Sequence, residues 1–252
     1  MSAVGLAGTE KRTSRSAKAA AIFLLLASVL FLGSAALQHH ASVQRWVVFA
    51  GSRPASESFG EDHLYDYYFP LDPWVNIGTT AQFFGVGILI QALAVVVMAA
   101  GVLLAPRTAT SRHALVAVGE FGIAVVIAAT FAILGTHALI SGLDGVPSPL
   151  QSIWALGHVS LLGLLILTWL WWRKLRAASV ACLFLTGSTL MGYFLSSYLI
   201  APIIAGGTSH DTTRWTESVV AATTAAAAIA VILAAKTLLW PGQRKPRALH
   251  RL

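Results

Sequence analysis

One cysteine, Cys182, stands in a chain of 252 residues, and it lies inside an apolar run. A single thiol makes no intrachain disulfide and no CxxC pair, so a disulfide framework, a zinc ribbon and a dithiol redox motif are excluded. Charge is nearly as scarce. Only 11% of the residues are Asp, Glu, Lys or Arg, less than half of the ~25% carried by a soluble domain. The chain also has no GxSxG, no Walker sequence, no GxGxxG, no HExxH and no CxxCH. The motif-borne forms of nucleophilic hydrolysis, nucleotide binding, zinc proteolysis and covalent haem attachment therefore have no support. No internal repeat is visible at periods of about 20–50 residues, and no inverted duplication.

What is present is apolar side chain, 56% of the sequence. About 20 mostly apolar residues suffice to cross a bilayer, and six runs reach about that length: 19–37, 78–105, 114–140, 150–172, 177–205 and 217–240. The expected fold is an all-α integral membrane protein, a six-transmembrane-helix bundle with one long extracytoplasmic loop. Residues 1–18 read as a disordered basic tail, 19–240 as the transmembrane domain with its outer loop at 38–77, and 241–252 as a second basic tail. A basic stretch and Ser34-Ala35-Ala36 give the first run some likeness to a signal peptide. It exceeds the ~7–15 apolar residues of such a segment, and an uncleaved helix is expected.

Six spans put both termini on one side. With that side cytoplasmic, 14 of the 17 basic residues face inward, and Arg45, Arg53 and Arg214 remain outside. The positive-inside rule then holds at every loop. The net charge of +7 is thus a topology signal and an attraction to anionic lipid, not a nucleic-acid footprint. Arginine in excess of lysine and abundant alanine suit a bacterial chain, so the expected place is a bacterial plasma membrane, with the bilayer and another membrane protein or a second copy as partners.

Ionisable or polar groups inside a span cost insertion energy and face protein or water rather than lipid. Glu120, His137, His158 and Gln91 are the candidates. Glu120 shares a helix face with Ala124, Ala128, Ala132 and Thr136, a small-residue stripe that suits close helix packing; a pair with Arg112 or a basic residue of a neighbouring loop is its expected role. Gln82 and Gln91 are expected to bond between helices, and Trp46, Trp74, Trp154 and Trp215 to form an outer aromatic belt. Ser188, Gly192 and Ser196 recur every fourth residue and predict a helix-packing seam in a continuous fifth span.

Six of the eight histidines fall in the outer half under this topology. His137 and His158 sit on runs joined by a short turn, and His63, Asp62 and Asp66 lie in the acidic-aromatic loop above them. These residue types bind copper or zinc, and two histidines can hold haem axially. Their spacing matches no defined site, and the alternative is that the histidines only donate hydrogen bonds. The first functional expectation is a non-enzymatic accessory or scaffold subunit of an envelope complex. The alternatives are an outer-facing metal or haem protein and a small transporter, against which the absence of inverted repeats and of a broken central helix counts.

Overall fold

The computed structural model describes residues 3–49, 64–106, 111–207 and 212–240. Among them every regular element is helical, with no strand. The first helix, α1 (Ala3–Val43), ends in a π-helical turn, Gln44–Val48. It begins within the tail that was expected to be irregular, because Ala, Lys, Arg and Glu there are good helix formers. Next come α2 (Thr80–Leu104) and α3 (Ser111–Asp144). A 3-10 stretch, Pro149–Leu156, leads into α4 (Gly157–Trp172). The final helix is α8 (Thr216–Leu239).

Four of the described helices are long and apolar enough to cross a membrane, and a bent pair makes a fifth if it is taken as one span. That pair corrects the continuous fifth span expected between 177 and 205. It is built from α5 (Arg176–Leu185), a 3-10 turn at Thr186–Ser188, α6 (Leu190–Leu195), a π turn at Ser196–Ile200 and α7 (Ala201–Ala205). The axis turns by 72° at the break. Thr189 is extended there and caps α6 by accepting a bond from the Gly192 amide. Gly206, in the left-handed conformation with its amide on the Pro202 carbonyl, ends the segment.

The segments pack as a closed ring in which α1 meets α2, then α3, α4, α5 and α8, and α8 returns to α1. Close approach is set by glycines that show no periodic stripe. A Cβ on Gly85 would lie 2.6 Å from the Gly135 carbonyl oxygen, and one on Gly135 would lie 2.8 Å from that of Gly85. Both atoms are backbone, so α2 and α3 touch only because both positions are glycine. Inside the ring are Phe31, Phe84, Phe131, Leu164 and Trp171. Outside, Ile22, Leu93, Val118, Leu165, Ile203 and Ile229 are exposed. Helices apolar on both faces suit a membrane-embedded protein.

The described part of the expected outer loop does not stand away from the bundle. Residues 38–48 are helical, and Tyr65, Tyr67, Tyr68, Trp74 and Ile77 are buried. The 64–79 segment is a plug seated in one mouth of the ring. Tyr67 and Tyr68 pack against Phe84 at 5.5 and 5.1 Å between ring centres, and Tyr68 stacks on Tyr193 at 4.2 Å.

Candidate functional site

The plugged mouth is organised by Arg45, whose side chain is fully buried. Its Nη1 donates to Asp66 Oδ1 at 2.6 Å and to Glu217 Oε1 at 2.8 Å. The other Glu217 oxygen accepts from the indole of Trp46 at 2.7 Å. The guanidinium also lies 4.7 Å from the Trp46 ring centre. Consecutive residues of a regular α-helix do not share a face. The wider π turn at Gln44–Val48 lets Arg45 and Trp46 both turn inward, a use for which such turns are known at functional sites. On the far side, Thr212 donates to the same Asp66 oxygen, and Tyr193 and Thr212 share a bond of 2.9 Å. The network thus joins α8, the end of α1, the plug, the 212–215 strand of chain and α6. Burial, then the Glu217 carboxylate, push the Tyr67 phenol beside it well above its ordinary pKa.

Next to Asp66 is a cavity of about 430 Å³, within the range of small-ligand pockets. Tyr68, Phe69, Tyr193, Phe194 and Tyr198 form its walls, and Asp66, Ser197 and Thr212 bring polar atoms. A smaller cavity of about 40 Å³ shares Tyr68, Phe69 and Leu190 with it and reaches Ser188 and Thr189. The break in the fifth segment therefore lines a cavity and is buried in protein, where irregular backbone can exist at membrane depth. Tyr68 donates to the freed Ser188 carbonyl at 2.5 Å.

His137 is buried and both ring nitrogens are bonded, Nε2 to the Pro70 carbonyl at 2.8 Å and Nδ1 to the Ser148 hydroxyl at 2.7 Å. A carbonyl only accepts, so Nε2 carries the proton, and Nδ1 of the neutral ring accepts from Ser148. The histidine is a clip between the plug and the turn after α3. His158 lies exposed in the first turn of α4. A shared metal or haem site on these two is therefore not the arrangement found: one has no open nitrogen, and the other faces outward. Asp66 is anchored through Oδ1 by Arg45 and Thr212, while Asp62 and His63 lie outside the described residues. Among the described residues no three His, Cys, Asp or Glu side chains cluster in a way that could hold a metal ion.

Glu120 is buried, ion-paired with Lys174 and bonded to the Trp171 indole at 3.2 Å. Lys174 is a basic residue of the cluster after α4, and the Arg112 side chain lies outside the described ones. Gln91 is fully buried at the middle of the ring, where its Oε1 accepts from Gln38 at 3.0 Å and from Thr224 at 3.1 Å. Gln82 donates to the Gly142 carbonyl, which Asn76 also caps. Trp46 and Trp74 are buried rather than in a belt, since one bonds Glu217 and the other sits in the plug; the Trp154 side chain lies outside the described ones.

Ser188, Gly192 and Ser196 are all buried, but not as one stripe on a straight helix. Ser188 belongs to the break, and a Cβ on Gly192 would run into the backbone of Thr186 and Gly187 just before it. The close approach to a neighbouring helix is made by Gly187 against Thr223 of α8. Arg45 and Glu217 are the residues that sequence reasoning passed over. One signal was available: an arginine ending one apolar run and a glutamate opening another fall at the same level of an antiparallel bundle.

Fold and site together define a helical protein with apolar helices long enough to cross a membrane and with an ion cluster and an aromatic cavity in one mouth. Searches against protein-family models, curated proteins and solved structures find no match for this chain.

Proposed function

We propose that this is a six-span protein of a bacterial plasma membrane, with both termini cytoplasmic, that binds a small molecule in its outward-facing mouth and serves without chemistry of its own as an accessory subunit of an envelope complex. The observation that carries this reading is the cavity beside Asp66. It is assembled from chain-distant segments, and the ionised groups beside it, Arg45 with Asp66 and Glu217, pair with one another rather than with a nucleophile. Six crossings are supported by α4 as well: its 16 residues span about 24 Å, and a 3-10 stretch kinked at Ile153 precedes it, against a hydrocarbon core of about 30 Å. The test is a thermal-shift panel of organic cations, anions and neutral compounds on the full chain in a maltoside detergent. At least one class should raise the melting temperature, and Tyr198→Leu, at a half-exposed wall position, should remove that rise while leaving the unliganded melt alone. A flat panel sinks the reading.

The broken fifth segment favours a second reading, a small transporter. Discontinuous helices mark the substrate sites of many transporters, and here the break lines a cavity next to the larger one. Uptake of the ligand found above into proteoliposomes, beyond that of empty vesicles, decides between the two.

A further inference from the structure

Resting on that reading of the cavity as a binding site, we propose that its ligand is a monovalent organic cation, an alkylated ammonium group held against Asp66 and between aromatic rings. The charge count comes first. Among the described residues two carboxylates, Asp66 and Glu217, share the single buried guanidinium of Arg45. The other described cation of this mouth, Arg214, is exposed and lies over Trp215. Among the described residues this leaves one negative charge in excess. Glu217 is sealed, with both oxygens bonded. Asp66 is not: Arg45 and Thr212 both bond Oδ1, its side chain keeps 16% exposure, and it lines the cavity. The oxygen that carries no bond from the described residues is the one left to a ligand.

The walls select among cations. Tyr68, Phe69, Tyr193, Phe194 and Tyr198 surround the space, and ring faces attract an ammonium whose charge is spread over methyl or methylene groups. A divalent metal needs several oxygen or nitrogen ligands at close range, and among the described residues only one carboxylate reaches this space. An anion meets Asp66 first, because Arg45 lies behind it and is not part of the wall. A neutral acyl chain would leave the carboxylate facing hydrocarbon, an uncompensated burial. At about 430 Å³ the cavity holds an ammonium group with a short substituent.

The test uses the full chain in maltoside detergent and measures binding calorimetrically. The probes are choline, glycerophosphocholine and 3,3-dimethyl-1-butanol, which has the shape of choline without its charge. Choline should bind at least about tenfold more tightly than the neutral alcohol. Tyr198→Leu should weaken it by about 2- to 30-fold, the span of one cation–π contact, while Tyr198→Phe keeps it. Asp66→Asn should abolish the preference for charge; should that variant fail to fold, the Tyr198 pair still decides. Tighter binding of glycerophosphocholine assigns the site to a lipid headgroup, and tighter binding of choline to a free cation; both support an ammonium site. Equal binding of choline and the alcohol overturns the cation inference and leaves the binding reading standing. If Tyr198→Phe loses as much as Tyr198→Leu, the cation is not held by the ring faces and the inference fails. No binding by any probe overturns the inference as well, and only a flat wider panel also removes the binding reading.

Discussion

A buried arginine shared by two carboxylates is a demanding arrangement, because each charge has lost its water and depends on the others. Removing Arg45 alone strands the buried Glu217 and leaves Asp66 without its cation. Arg45→Met should destabilise the protein by about 3–5 kcal/mol, seen as a large drop in the melting temperature in detergent. Arg45→Met combined with Glu217→Gln and Asp66→Asn should recover much of that loss, since the stranded charges go with it. If the triple variant is no more stable than the single one, the cluster is not the electrostatic unit described here. Arg45→Lys should not substitute, because a lysine lacks the planar fork. His137 makes a milder case. His137→Ala frees the Pro70 carbonyl and the Ser148 hydroxyl and should cost about 1–3 kcal/mol, whereas His137→Gln, able to donate to one and accept from the other, should cost less. Equal losses would mean the ring acts by volume and not as a clip. The sequence showed that these residues were costly to bury, but a histidine as ligand and a histidine as clip have the same one-dimensional signature. Only the partners, Pro70 from the plug and Ser148 from the turn, separate the two.

Among the elements, the apolar runs were legible because hydropathy is a local property, and each of the six corresponds to helix in the structure. The break in the fifth was not. Thr186-Gly187-Ser188-Thr189 is neither polar nor proline-bearing enough to interrupt the hydropathy of 177–205, and its cause is tertiary. Gly187 lets α8 approach, Tyr68 takes the Ser188 carbonyl, and Gly192 lets the chain fold back past Thr186. Gly192→Leu should therefore fail to accumulate as folded protein, since the obstacle is backbone and cannot move aside. A Gly192→Leu variant that melts like the parent would show the break to be loosely packed. Thr189→Ala, which removes the α6 cap, should cost about 0.5–2 kcal/mol, and Thr189→Ser should restore most of it. The glycine contact between α2 and α3 was equally hidden, since Gly85 and Gly135 acquire meaning only when paired. Gly85→Ala should cost about 1–3 kcal/mol by overpacking, read as a lowered melting temperature.

For the whole molecule, the decisive property is which mouth of the ring faces out. The structure brings one set of ends together: Ser16 bonds the Leu104 carbonyl and Lys174 pairs with Glu120. The start of α1, the end of α2, the start of α3 and the end of α4 thus share a mouth opposite the one holding Arg45 and the plug. The basic residues follow the same division, with Lys18, Arg173, Arg176 and Lys236 at the Lys174 mouth. In the proposed orientation the positive-inside rule puts that mouth on the cytoplasmic side and the aromatic cavity outward. Cysteine labelling in intact cells checks it. Cys182 is fully buried and behaves as a small hydrophobe, so Cys182→Ala gives a silent background. Ser14 and Asp144 are exposed, one at each mouth. A membrane-impermeant maleimide should label Asp144→Cys in intact cells and reach Ser14→Cys only after the membrane is opened. The reverse pattern would turn the molecule over, place the Asp66 cavity in the cytoplasm, and require any cation it binds to come from inside.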